Sequence, residues 1–184
     1  MPVICKDFVP LYHLANLLRF EFATAAMHNN YYFHKFDNKF EDQKMLVGEF
    51  EKVIQELLKS SRVKDWYRAY FNYGLANYVL GNKRLLPCEM GFSSFFVDPF
   101  GDLRPCNGMD EVMGNIKEQS FEEIWTGAEA ERVRAKARNC EMNCWMIGSV
   151  AEMMKKYISV PTKWIVRTKL LKKPIEYCGF RGKT

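Results

Sequence analysis

Four of the six cysteines in this 184-residue chain fall into a pattern that can do chemistry: Cys88, Cys106, Cys140 and Cys144. Cys88 and Cys106 are separated by seventeen residues and Cys140 and Cys144 by three. The stretch between the first two reads as a hairpin, which returns its ends to one place. Two near-neighbour pairs, each tied by a short element, can converge on one centre. Four thiolates suit either a structural zinc or an iron–sulfur cluster. The gap after Cys140 is looser than the two-residue gap of zinc knuckles, which tilts the reading toward a cluster. A buried free thiol is common in any core, but four, each beside Gly, Pro or a turn, are hard to explain by packing. Nothing at the N-terminus reads as an export signal, so a disulfide framework is not expected and a cytoplasmic setting is.

The elements that must position these thiols are legible in the pattern of apolar residues. Phe92–Val97 is expected as a strand, Asp98-Pro99-Phe100-Gly101 as a type I turn, and Leu103 as the start of the return strand. Ser120 and Glu123 form a capping box ahead of Ile124 and Trp125. A further helix is expected over 129–137, and two more at about 146–157 and 161–172, Pro161 marking a start. Upstream, residues 2–5 and 19–27 read as short strands on either side of a helix over 8–18. Strand, helix, strand in that order suggests parallel α/β pairing. Residues 41–58 are an amphipathic helix, and residues 63–80 a second one, rich in aromatics and closed by Gly81. That aromatic stripe has helical spacing and few adjacent cations, so it reads as core rather than as a base-stacking surface, and no nucleic-acid partner is expected.

Composition sets the outer limits. The chain is 48% hydrophobic and 27% charged, enough to bury a core. No apolar run reaches the ~18–20 residues of a membrane span. The net charge of +5 is lopsided: residues 153–184 hold nine Lys or Arg and one acid, Glu176, leaving 18 basic against 21 acidic residues elsewhere. The basic amphipathic stretch KWIVRTKLLKK can lie on an anionic membrane, but a solvated helix packed on the protein is the favoured reading.

The stretch CEMGFSSFFVDPFGDLRPC, followed by MGNIKEQSFEEIWTGAEAERVRAKARNCEMNCW, resembles the SPASM or twitch module of radical S-adenosylmethionine enzymes. The matching features are Cys88, Gly101 and Cys106, the Gly114-Asn115 pair, the Ser120–Trp125 helix, the arginines from Arg132 to Arg138, and Cys140 with Cys144. The resemblance implies one auxiliary [4Fe–4S] cluster on these four cysteines, since full SPASM modules carry two clusters and more cysteines. It implies a role in electron transfer or substrate anchoring. Cys178 is expected to be free and Cys5 to be core. Gly101, Arg104 and Asn107 are expected close around the cluster, with Arg104 and Asn107 donating hydrogen bonds to its sulfides. Asn29, Tyr31 and His34, with Asn30 and Tyr32, follow an expected strand and would face an S-adenosylmethionine or substrate cavity.

The resemblance also has a gap. The 184 residues contain no Cys-x3-Cys-x2-Cys loop, the segment that makes the radical in that family. The chain alone is therefore not expected to generate a radical. A missing N-terminal half, or a separate chain, would supply that machinery. The fold class expected is α/β in the broad, α+β sense: residues 1–84 as the last βα units of a partial TIM-type barrel, residues 85–150 as a small hairpin-plus-helices cluster module, and residues 151–184 as a basic helical tail. The alternative is a non-catalytic four-cysteine zinc module.

Overall fold

The computed structural model describes residues 4–177, and the side chains from Lys6 onward; Cys178 and the side chain of Cys5 lie outside it. Seven α-helices and three very short strands are found among the described residues. A single 3₁₀ turn, Ile4–Asp7, leads into α1, Phe8–Leu17. Two long helices follow, α2 at Gln43–Lys59 and α3 at Val63–Val79. Asp42 caps α2 by accepting from the Met45 amide at 2.9 Å. The apolar spacing in α2 buries Phe50, Val53, Ile54, Leu57 and Leu58 against α3. Gly81, at φ +74, turns the chain after α3.

The upstream strands are not formed among the described residues, residues 2 and 3 of the first lying outside them. Residues 4–7 are helical, and residues 20–29 run without regular structure and pair with no strand. Arg19 ends α1 in the left-handed region, at φ +61. The segment beyond it is tied to α3 by side chains rather than by a backbone ladder. Thr24 Oγ1 donates to Asn72 Oδ1 at 2.7 Å, Glu21 pairs with Lys64 and Arg68, and Phe22 and Ala26 pack on the core. A strand needs a neighbouring strand to complete its hydrogen bonds, and none is present here among the described residues. The described residues of this half form a helical layer, so the partial barrel expected over residues 1–84 is not confirmed.

The second half is a small antiparallel sheet covered by helices. The strands β1 (Phe96–Val97), β2 (Asp102–Arg104) and β3 (Gly114–Asn115) pair in the order β1-β2-β3. The expected first strand is shortened to two residues because Gly91, at φ +86, turns the chain and the Phe92 and Ser93 amides donate back to Glu89 O. The turn forms where expected: Gly101 N donates to Asp98 O at 3.0 Å. The Asp98 carboxylate accepts from the amides of Phe100 at 2.8 Å and Asp102 at 3.0 Å. The helix α4, Phe121–Thr126, carries the complete Ser120/Glu123 capping box, and α5 spans Ala128–Arg138. Leu103, Met113, Ile124, Ala130 and Val133 form a second, smaller core here.

After Cys144 the chain returns to the helical half as α6, Ile147–Lys156, and α7, Ser159–Ile165, the latter continued by one π turn to Leu170. Trp164 stacks on Tyr73 at 5.0 Å, and Lys169 sits over the Trp66 ring at 4.7 Å. The basic tail helix is thus packed on α3 rather than free. No helix among the described residues is long and apolar enough to cross a membrane.

The two halves meet at Trp145, which is 1% exposed. Its indole donates to Phe71 O at 2.9 Å, and the ring fills the place of a side chain on Gly74: a Cβ there would lie 1.9 Å from Trp145 Cε2. Gly inside a helix ordinarily costs ~0.5–1 kcal/mol relative to Ala. At Gly74 the ring makes Gly necessary. Gly74→Ala is therefore expected to destabilise the protein by about 1–3 kcal/mol through overpacking, whereas Gly48→Ala in α2, with nothing within 4 Å of the new Cβ, is expected to stabilise by about 0.5–1 kcal/mol. Urea unfolding of the two variants reads these opposite signs; equal effects would contradict the tight seat.

Candidate metal centre

Three stretches of backbone bring the four thiols together, Cys140 and Cys144 sharing the loop between α5 and α6. Cys88 lies in the loop beyond Pro87, before the chain turns at Gly91. Cys106 follows β2 directly. Cys140 ends the turn closing α5, its amide donating to Ala137 O at 3.2 Å. Cys144 follows Asn143, whose φ of +49 bends the loop back. Cys88 and Cys140 are exposed, Cys144 is half-buried and Cys106 is buried; none is in a disulfide. All four line one cavity of about 420 Å³ with Met90, Phe96, Asn107, Met109, Met142 and Met146 among its other walls.

The loops are fixed from outside the cavity. Arg134, a buried residue of α5, donates from Nε to Gly91 O and from Nη2 to Trp125 O, each at 2.8 Å. This holds the segment after Cys88 against α5. Arg84 donates to Leu86 O at 2.9 Å, to Ser149 O at 2.7 Å and to Cys144 O. Asn143 Oδ1 accepts from the Arg84 amide at 3.2 Å. His28 reaches the same loop from the helical half: its Nε2 accepts from the Trp145 amide at 2.9 Å.

Burial sets the protonation of the inner thiols. Removal from water pushes the Cys106 thiol up, although the Gly108 and Met109 amides aimed at the sulfur oppose this. Cys144 is pushed up to about 12, first by burial and then by the three neighbouring thiols, with the Arg84 charge pulling the other way. The His28 imidazole is held below its usual range, mainly by burial; its hydrogen bond to Ala26 O opposes this and the Arg84 charge adds to it. The ring is therefore neutral at pH 7, with Nδ1–H donating to Ala26 O at 2.7 Å.

The remaining expected residues divide. Asn107 lines the cavity. Gly101 sits at the hairpin turn, at φ +92, where a Cβ would meet Asn115 Oδ1 at 2.9 Å. Arg104 is not among the residues that line the thiol cavity. Its guanidinium lies among Asp98, Asp102 and Asp110 at 3.4–3.7 Å, because three carboxylates surround it on the hairpin side. Of the glycines near the ligands, only Gly108 brings backbone close to sulfur: a Cβ there would lie 3.6 Å from Cys106 Sγ. Tyr31 lies with its ring 5.8 Å from the Arg104 guanidinium, the Asn29 side chain accepts from the Asn38 amide at 3.0 Å, and His34 is exposed.

A second cavity of about 420 Å³, walled in part by Thr24–His28 and Asn30, shares Asn107, Met146 and Ile147 with the first. Sequence spacing did not point to Arg84, Trp145 or Ser149. Arg84 precedes the first thiol by four residues with no motif around it, and the role of Trp145 depends on a glycine seventy-one positions away.

A hairpin and two helices gather four free thiols round one cavity, while among the described residues no three His, Cys, Asp or Glu side chains are grouped closely enough to hold a single ion. Residues 88–145 match the family model for SPASM, an iron–sulfur cluster-binding domain. No curated protein and no solved structure matches the chain. This segment is therefore similar to a domain described as binding iron–sulfur clusters. The residues present fit such a group: four unpaired thiols and amides directed at Cys106.

The raised thiols make the apo fold sensitive to alkali. An acid raised on folding keeps its proton when the unfolded chain, with thiols near ~8.5, has lost it. Stability is thus fully present below the unfolded value and falls as pH rises toward the folded one. Apo protein is expected to lose urea resistance between pH 8 and 10, before tyrosines ionise, and Cys144→Ser is expected to flatten that decline. A pH-independent midpoint would show that these thiols do not titrate as described.

Proposed function

We propose that Cys88, Cys106, Cys140 and Cys144 together hold one [4Fe–4S] cluster, acting as an auxiliary centre of a radical S-adenosylmethionine enzyme in electron transfer or substrate anchoring. The observation that carries this reading is the placement of all four free thiols around one cavity inside the SPASM segment. When bound, such a cluster supplies a one-electron redox centre or an iron that can bind a substrate group. The chain's own contribution is the rest: thiolates on three loops, apolar Met and Phe walls that limit water, and amides near Cys106 that favour negative charge on sulfur.

The match to an iron–sulfur cluster-binding domain supports a cluster over the zinc alternative. A structural zinc needs its sulfurs at about 2.3 Å from one point. Among the described residues no three His, Cys, Asp or Glu side chains are grouped closely enough to hold a single ion. Anaerobically prepared protein is expected to be brown and to contain equal iron and acid-labile sulfide, and Cys106→Ala or Cys144→Ala to lose the colour. A colourless protein with one tightly bound zinc would sink this reading. Because thiolates are the ligands, loading releases protons and is expected to strengthen as pH rises from 7 to 9, opposite in sign to apo stability.

The radical-generating loop would come from another stretch of polypeptide, an N-terminal half or a separate chain, carrying Cys-x3-Cys-x2-Cys. The exposed Leu14, Leu17 and Leu18 of α1 and its end offer an apolar surface to such a polypeptide. S-adenosylmethionine cleavage is expected only when such a polypeptide is co-expressed. Cleavage by the 184-residue chain alone would overturn this assignment.

A further inference from the structure

We propose that His28 and Arg84, both outside the SPASM segment, are positioning residues for Cys144 that clamp the peptide linking it to Trp145. The proposal rests on the cluster reading above only for its redox arm. On one side of that peptide, the Trp145 amide donates to His28 Nε2 at 2.9 Å. On the other, the Cys144 carbonyl accepts from Arg84 Nη1. A peptide N–H must be the donor, so Nε2 must be the bare nitrogen. The tautomer is fixed from behind by Nδ1–H donating to Ala26 O at 2.7 Å. The imidazole is stacked on Tyr78 at 4.1 Å with its plane only 19° off, so it has one orientation.

Arg84 is held as firmly. It also donates to Leu86 O, Ser149 O and Ser149 Oγ, at 2.9, 2.7 and 3.2 Å. Its guanidinium lies 5.7 Å from the centre of the Trp145 ring. One side chain therefore joins the approach to Cys88, the carbonyl of Cys144 and the first turn of α6. The same guanidinium is a cation held at the carbonyl of Cys144. Its position is set by hydrogen bonds, so the two actions are separable: geometry through the forked donors, electrostatics through the charge. His28 supplies geometry alone, being neutral.

Two sets of variants decide it. In apo protein, His28→Ala is expected to speed hydrogen exchange at the Trp145 amide and alkylation of Cys144 by about fivefold or more, the equivalent of one ordinary hydrogen bond. Alkylation of Cys106 should be unchanged, and His28→Gln, which returns an acceptor near Nε2, should restore the slow rates. In loaded protein, Arg84→Gln is expected to move the cluster midpoint potential to more negative values, because a nearby cation favours the reduced form. Arg84→Lys, keeping the charge, should move it less. Equal acceleration at Cys106 and Cys144, or no acceleration, would overturn the His28 clamp. Equal potentials in the Gln and Lys variants would overturn the Arg84 role. If wild-type protein takes up no iron, the cluster reading fails, while the exchange and alkylation rates still judge the clamp.

Discussion

The seat of Trp145 in the groove at Gly74 is the contact on which the rest depends. Cys144 is the last of the four thiols, and the next residue is the most deeply anchored side chain of the loop. A tryptophan buried to this degree contributes several kcal/mol, about 3–5 by truncation. That energy is delivered one bond away from a candidate ligand. The helical half is thus the foundation to which one wall of the thiol cavity is fixed. The packing of α2 on α3 makes the groove rigid, and the absence of a side chain on Gly74 makes it deep enough.

Around that anchor, polar groups do what apolar packing cannot: they fix orientation. Arg134, Arg84 and His28 each bond to backbone atoms of the loops that carry or flank thiols. None of the three spends its hydrogen bonds on another exposed side chain alone, so solvent screening weakens them less than it does the surface ion pairs of α5. Arg104 shows the contrast. It is equally well surrounded, but by carboxylates of its own hairpin, and it braces the turn rather than the cavity. The difference is one of which partner is nearer, and no rule of spacing contains it.

The parts of the structure legible in the sequence are those governed by local rules. The capping box at Ser120, the turn at Asp98–Gly101 and the long amphipathic α2 lie where their residues demand. The four thiols could be grouped because a hairpin necessarily returns. The strand expected over 19–27 fails for a reason equally physical. A strand is defined by its neighbour, and β propensity alone cannot supply one. Residues 20–29 have strand-like composition but take their ties from Asn72, Lys64 and Arg68 of α3. The second strand segment shrank because Gly91 admits a left-handed turn that apolar alternation does not announce. His28, Arg84 and Trp145 stayed hidden because each acts across more than fifty residues of chain.

These elements leave the molecule with two cores of unequal size. The larger joins α1, α2, α3 and α6 through Trp145; the smaller has five fully buried apolar residues under the hairpin and α5. A core of the second kind is marginal alone. The four thiols lie where the two meet: Cys144 fastened to the large core, Cys106 to the small one, Cys88 and Cys140 on the connections between them. A group binding all four would therefore be a cross-link as well as a redox centre, and binding energy would become folding energy for the smaller core. The protonated, desolvated state of Cys106 and Cys144 is what the apo protein adopts in the absence of such a cross-link. The same burial that disfavours their free thiolates also excludes the water that would compete for bound iron. Burial of the inner pair and exposure of the outer pair together give a site that is open to loading from one side and closed on the other.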